Sequence, residues 1–424
     1  MDQANAHYRG AFSLLTCLFF IWGLITTING TLVPYFKEIF DLTFFEAGLV
    51  DWAFFISFLL MSIPSAKVIE RYGYKVCLLF GIGLLFIGCL VFLLASIVVS
   101  YPLFLFALFI LGIGITLLQV AANPFVSALG PNKYASSRLN LSQALNSLGK
   151  FLAPLIGAWF ILDVSGFSPA EKLATIQTPY IIMASILLIA LLCLKFTQLP
   201  VIAKISHQDT QTADHTLRSF YQLLIQYPHL KKGVIAIFIL VGIEVSVVHY
   251  GNSYIMALRL PGYTLQSANT LVSYILIGEL LGRFIGAFLL NKFPQLKSHN
   301  MLTVNALTGI ALLLASIMTQ GSLSLWCFIL LGLCNSIMWS NIFTLSLVNI
   351  DKNTAKASSL LVTAIVGGAF IPLVVGLCAD YYGIKNGFYT VIACYAYIVY
   401  FGLKGYKPVL NSEGNDAPQK LVAQ

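Results

Sequence analysis

Three carboxylates stand where carboxylates are costly. Asp51, Glu244 and Glu279 each lie inside a long run of apolar residues. At bilayer depth a charged side chain costs about 3 kcal/mol on insertion scales, and more on an isolated helix. Such a group faces a polar cavity or a partner rather than lipid, where it can exchange a proton or hold a cation through oxygen. Amides suited to a polyhydroxyl ligand accompany them. Asn140, Gln143 and Asn146 recur every three residues, which keeps them near one helix face with a drift of about 60° per step. Gln119 and Asn123 lie four apart on the preceding run. An amide both donates and accepts, as a sugar hydroxyl does. The competing use is adhesion between helices, worth about 0.6–2 kcal/mol per amide. Contact with a polar ligand is expected for Gln143 and Asn146, and adhesion for Asn123. Glu244 and His249 are five apart, with Asn252 just beyond. That spacing suggests an acid sharing its proton with an imidazole. Glu279 and Arg283, at i and i+4, have the spacing of an intrahelical ion pair.

The elements that must position these groups are membrane helices. Hydrophobic residues make up 58% of the chain and charged residues 9%, with a mean hydropathy of +0.87, where a soluble domain carries about 25% charged residues. Twelve runs are long enough to cross a bilayer as helices: 11–36, 47–69, 76–98, 102–127, 139–163, 178–197, 233–257, 268–291, 300–319, 323–348, 357–381 and 386–406. Barrel strands are far shorter. The first run follows only Arg9 and is read as an uncleaved span. With the N-terminus inside, eighteen of the twenty-four Lys and Arg fall on inner segments and four on outer ones, which places both termini in the cytoplasm. Lys150 and Arg283 fall within spans. The predicted division is an N-terminal six-helix bundle over 1–197, a cytoplasmic linker over 198–232, a C-terminal six-helix bundle over 233–406 and a tail over 407–424. The linker histidines His207, His215 and His229 read as solvated. All eight cysteines fall in or beside apolar segments and form no disulfide framework. No metal-ligand spacing, phosphate loop or nucleophile elbow occurs, which argues against an enzyme, and scattered basic residues argue against a nucleic-acid partner.

The halves repeat. At an offset of 218 (332 − 114), Gly114 meets Gly332, Asn123 meets Asn341, Phe125 meets Phe343, Gly149 meets Gly367 and Pro154 meets Pro372. Spans four and five thus map onto ten and eleven without a gap, as expected for a two-halved transporter with parallel repeats.

Longer strings carry a resemblance. Ala66-Lys-Val-Ile-Glu70-Arg71-Tyr-Gly73-Tyr-Lys75 resembles the loop signature of the major facilitator superfamily, Gly-x-x-x-Asp-Arg-x-Gly-Arg-Lys, with Ala66 and Glu70 in place of Gly and Asp. A sister stretch, Gly376-Leu-Cys-Ala-Asp380-Tyr-Tyr-Gly383-Ile-Lys385, follows span eleven. Gln119-Val-Ala-Ala-Asn123-Pro124-Phe125 and Ser137-Arg138-Leu-Asn140-Leu-Ser-Gln143-Ala-Leu-Asn146-Ser-Leu-Gly149 resemble the fucose–galactose–glucose permease family. Phe20-Ile-Trp22-Gly23 with Asn29, Gly282-Arg283-Phe284 and Asn335-Ser-Ile-Met338 extend the likeness over nearly the whole chain.

The resemblance implies the major facilitator fold and a secondary transporter that imports a monosaccharide of the glucose, galactose or fucose class by alternating access. It adds Trp22, Asn29 and Asn335 to the sugar-binding candidates Gln119, Asn140, Gln143, Asn146 and Asn252. Trp22 has this support where Trp52 and Trp339 do not. It makes Glu70 and Arg71 a gating latch. The proton-coupled fucose permeases carry acids where this chain has Gly30 and Gln119, so coupling to a proton or sodium ion must use another acid. Glu244, near mid-span, is the first candidate, with His249 as its neighbour, followed by Asp51 and Glu279. The rival readings are an uncoupled facilitator and a carrier of another small polar solute on the same fold. No cofactor or resident metal is expected. The expected setting is a bacterial inner membrane, with the chain as a monomer.

Overall fold

The computed structural model describes residues 2–31, 36, 39–42, 44–160, 169–200, 217–261, 264–293, 295–350 and 353–408. The side chains of Asn29 and Asp51 lie outside the described residues, as do His207, His215 and residues 409–424 of the predicted tail. Every regular element among the described residues is helical, because in lipid the backbone must satisfy its own hydrogen bonds.

Span one is Asp2–Thr31. Phe44–Val98 runs as one 55-residue helical stretch broken at Gly73, with φ 85° and ψ 169°. An unbroken helix of that length would be about 80 Å long, far beyond a bilayer, and the glycine divides it into spans two and three. Span four is Tyr101–Ala128, five Ala135–Phe160 and six Pro169–Phe196. Span seven is Pro228–His249, prolonged by Gly251–Ala257, and eight is Leu265–Lys292. Nine is Ser298–Met318, ten Gly321–Ser346, eleven Thr354–Tyr382 and twelve Ile384–Gly405. Among the described residues ten stretches are long and apolar enough to cross a membrane. One of them holds both spans two and three, and span five misses the threshold because its first half carries Ser136, Ser137, Arg138, Asn140, Ser142, Gln143, Asn146 and Ser147. Dividing the former and adding the latter gives twelve. The protein is an integral membrane protein with the all-helical two-halved fold.

The region predicted as linker differs in its second part. Leu217–Gln226 is a helix, with Phe220 and Leu223 buried, and span seven begins at Pro228 rather than 233. His229 is not solvated. It is buried, and its Nε2 lies 2.9 Å from the Val348 carbonyl.

The repeat has a physical cause. A side chain on Gly149 would collide with the Phe20 carbonyl, and one on Gly367 with the Phe238 carbonyl. Phe20 and Phe238 are themselves 218 apart (238 − 20). Each half therefore crosses its first and fifth spans at the same backbone point, where only glycine fits. Gly383, in the sister stretch after span eleven, has φ 85° and ψ 153°, nearly the conformation of Gly73.

Candidate functional site

Span five is the seam between the halves. Its entry is fixed by Arg138, whose guanidinium donates to the carbonyls of Val126, Ser127, Gly130 and Pro131 at 3.2, 2.5, 3.4 and 3.0 Å. These carbonyls belong to the last turn of span four and to the turn that follows it, where a helix end leaves acceptors over. From there span five runs along spans eight and ten of the other half. Ser136 Oγ lies 2.6 Å from Thr344 Oγ1, and Ser298 Oγ donates to it at 2.8 Å. Ser137 Oγ donates to the Ala287 carbonyl at 2.7 Å. Asn140 Nδ2 donates to Asn341 Oδ1 at 3.2 Å, with both residues fully buried. On the other flank Ser358 Oγ, in span eleven, donates to the Val120 carbonyl at 2.9 Å. These bonds lie toward the face that carries the loops after spans two, four, eight and ten, here termed the basic face. Toward the opposite face the halves meet through a Trp52–Phe370 ring contact at 6.4 Å.

Deeper in the seam the chemistry changes from hydroxyls to charges. Arg283 Nε donates to the Ser336 carbonyl at 3.0 Å, while Nη1 donates to the Gln143 carbonyl at 3.1 Å and to Ser147 Oγ at 2.6 Å. Its Nη2 lies 3.8 Å from Glu279 Oε2. Both residues are buried, at 3% and 4% exposure. The ion pair is intrahelical as the spacing predicts, but Arg283 also binds across the seam. A buried guanidinium with several acceptors is stable where a lone one is not. Glu244 and Lys150 share this region. Glu244 lies in the electrostatic field of Glu279, Arg283 and Lys150, and Lys150 in that of Arg283, Glu279 and Glu244. Glu244 Oε1 is buried without a hydrogen-bond partner. Tyr395, from span twelve, donates to Asn335 Oδ1 at 2.6 Å and closes the floor of the cluster.

The predicted sugar-binding residues are spread over different environments. Gln143 is buried in the seam and offers its carbonyl to Arg283. Asn146, expected beside it as a ligand group, instead donates to the Phe19 carbonyl at 3.0 Å. That bond serves the contact of spans one and five, where the backbones are close enough to need Gly23 against Asn146. Asn140 is engaged with Asn341. Asn335 keeps an unpartnered Nδ2. Gln119 and Asn252 are half-buried. Trp22 is buried with its ring 4.1 Å from that of Phe19, and Trp339 stacks on Phe343.

His249 does not join Glu244. It is exposed, and its ring packs on Tyr250 at 4.8 Å. Five residues turn a helix through about 500°, which leaves the two side chains about 140° apart. Glu70 is half-buried and Arg71 exposed, its guanidinium 5.3 Å from the Tyr72 ring. Among the described residues no group of three His, Cys, Asp or Glu could hold a metal ion. A groove of about 290 Å³ between Val234, Phe238, Leu360 and Val366 is apolar. Lys150 and Tyr395 are not among the candidates that the sequence suggests. Lys150 carried the same signal as the acids, a charge inside an apolar run. Tyr395 carried none, since aromatics fill every span.

Two repeated halves with a polar seam between them make a two-halved membrane transporter. The profile of the Major Facilitator Superfamily matches residues 14–372, and the chain belongs to that family. It is 38% identical to a glucose/galactose transporter of Brucella abortus, over 96% of each chain. It is 31% identical to the L-fucose-proton symporter of Escherichia coli, over 92% of each. The solved fucose:proton symporter of E. coli superposes with a TM-score of 0.85 at 30% identity, covering 93% of this chain and 98% of that one. The proton:xylose symporter XylE, at 14% identity, superposes with a TM-score of 0.70 over 94% of this chain and 95% of that one, and shares the fold.

Proposed function

We propose that this protein imports a monosaccharide of the glucose, galactose or fucose class by alternating access, driven by a proton or sodium ion. The observation that carries the reading is the buried polar seam between the halves, where the Gln143 main-chain carbonyl accepts from Arg283, Arg283 pairs with Glu279 and Glu244 keeps a buried Oε1 without a hydrogen-bond partner, in a chain similar along its length to sugar transporters. Each half supplies one wall of the site, and rocking of the halves exposes it to either side. Gln143, Asn335 and Gln119 are the groups assigned to the sugar, with Trp22 behind them. Glu244 is assigned to the coupling ion, because Glu279 is already held by Arg283. The Glu70–Arg71 loop sets the rate of rocking. The proposed division is a first bundle over 1–197 and a second over 233–406, with the start of the seventh span taken back to Pro228. The chain works as a monomer in a bacterial inner membrane with both termini in the cytoplasm, in keeping with its basic inner loops.

Purified protein in proteoliposomes, offered labelled glucose, galactose and fucose under imposed proton or sodium gradients, tests this directly. Uphill accumulation of one of these sugars under one gradient is expected. Glu244→Gln should lose accumulation and keep sugar counterflow, which needs no net ion movement. Uptake indifferent to both gradients would make the protein a facilitator, a reading favoured by Gly30 and Gln119 where fucose permeases carry acids. Accumulation that survives Glu244→Gln would remove Glu244 from the coupling role.

A further inference from the structure

The repeat predicts two equivalent contacts across the seam, and only one of them is made. Span five meets span ten through Asn140, whose Nδ2 donates to Asn341 Oδ1 at 3.2 Å, and Asn341 Nδ2 in turn donates to the Ser298 carbonyl at 3.4 Å. The offset of 218 exchanges the halves. Asn140 then falls on Ser358 of span eleven (358 − 140), and Asn341 falls on Asn123 of span four (341 − 123). Ser358 Oγ donates instead to the Val120 carbonyl, at 2.9 Å. Asn123 is fully buried, and neither its Nδ2 nor its Oδ1 has a hydrogen-bond partner among the described residues. The made contact leaves over one amide atom, Asn140 Oδ1, and the unmade one leaves over a whole amide. The adhesion expected of Asn123 is thus supplied by its copy, Asn341.

The direction of Asn123 shows which motion relieves it. Span four turns Gly114, Leu118 and Phe125 toward span three. A Cβ on Gly114 would stand 2.8 Å from the Gly81 carbonyl oxygen, one on Gly81 would stand 2.9 Å from Leu118, and the Phe125 ring lies 5.7 Å from that of Tyr74. Asn123 comes nine residues after Gly114, about two and a half turns. Its side chain therefore leaves span four on the side away from its own half's packing. Val120, which takes the Ser358 bond from the other half, lies one turn before it on that side. A buried donor and acceptor left unmade carry their full desolvation cost. That cost is present while the halves are closed on the basic face. When they part there, span eleven draws away from span four and water reaches the amide.

We infer that Asn123 is a positioning residue for alternating access, whose unpaired amide loads the conformer closed on the basic face. It acts against the bond between Asn140 and Asn341 and keeps the closed conformer near the open one in free energy. One residue type at two equivalent positions thus acts with opposite signs. Asn341 holds the seam shut, and Asn123 presses it open. A carrier works only while both conformers are populated, and a small bias at such a point moves the whole equilibrium.

Spin labels read the seam directly. Lys133 follows span four and Lys297 follows span eight, both exposed on the basic face and in opposite halves. Lys133→Cys with Lys297→Cys is made in the full-length protein, with the exposed Cys17 and Cys193 replaced by serine. In proteoliposomes the label pair gives a short distance for the closed seam and a longer one for the open seam. Asn341→Ala should raise the open-to-closed ratio about tenfold, through the lost Asn140 bond. Asn123→Leu, similar in size but without the amide, should lower the ratio about tenfold and leave the melting midpoint at or above that of the wild type. Two amides that merely bind helices together would give both variants the same sign. A ratio unchanged or raised in Asn123→Leu overturns the inference. If that variant does not fold, Asn123→Ala decides in its place by the same ratio. The distances are read with no sugar present, so they judge Asn123 even if the wild type moves none of the sugars tested.

Discussion

The two halves of this protein share a skeleton and differ in chemistry. Both cross their first and fifth spans at a glycine, Gly149 over Phe20 and Gly367 over Phe238. One residue further on, the first half carries Lys150 and the second Gly368. Four of the amides and hydroxyls of span five, Gln143, Asn146, Ser147 and Ser142, correspond to Leu361, Ala364, Ile365 and Leu360 at the repeat positions of span eleven. Close packing tolerates few residues, so it holds both copies to the same solution. Polar groups in the seam are under no such packing constraint, and on the proposed reading both halves serve one shared site. The copies were therefore free to divide the work, amides on span five and acids on spans seven and eight.

The shared skeleton gives the largest expected effects. Gly149→Ala and Gly367→Ala should each destabilise by about 2–3 kcal/mol or abolish folding, because the new methyl meets backbone that cannot give way. Thermal melting of purified protein should show similar losses in both, and a large loss in one half alone would break the equivalence. Next is a residue that binds the halves together. Arg283→Lys keeps the charge but loses the forked bonds to Ser336, Gln143 and Ser147. It should cost about 2–3 kcal/mol of stability and most transport, measured by melting and counterflow. Wild-type stability in that variant would mean that the cross-seam bonds contribute little.

A contrast within span five comes third. Gln143→Ala should weaken sugar binding by about 1–3 kcal/mol through lost hydrogen bonds, with little change in melting. Asn146→Ala should do the reverse, since its amide bonds the Phe19 carbonyl. Calorimetry beside melting separates them, and equal losses of affinity would return Asn146 to the sugar site. The smallest effect on binding belongs to Arg71→Ala, which should slow or speed transport while leaving equilibrium affinity near wild type. A large fall in affinity at normal turnover would contradict a gating role for that exposed side chain.

Much of this was legible in the residues themselves. Apolar length marked the spans, and the 218-residue offset marked the halves. The charge of Arg283 four residues from Glu279 marked their pair. What escaped depended on rotation about helix axes and on partners far away in the chain. Asn146 turns to a span-one carbonyl that no periodicity could name. His249 looked close to Glu244 along the chain but leaves the helix in another direction. The helix Leu217–Gln226 does carry a signal in the sequence. Leu217, Phe220, Leu223 and Leu224 recur at helical spacing within an otherwise polar stretch.

Gly73 and Gly383 bend the chain alike, but on opposite sides of the membrane, after span two and after span eleven. A side chain added at a φ of 85° is strained by about 1 kcal/mol or more, and that strain weighs only on the conformer that keeps the bend. A weight of about 1.4 kcal/mol changes the ratio of two conformers tenfold. The protein thus carries a separate adjusting screw at each mouth. The dwell time of the carrier on one side of the membrane can drift under selection while the other side, and the sugar, stay as they were.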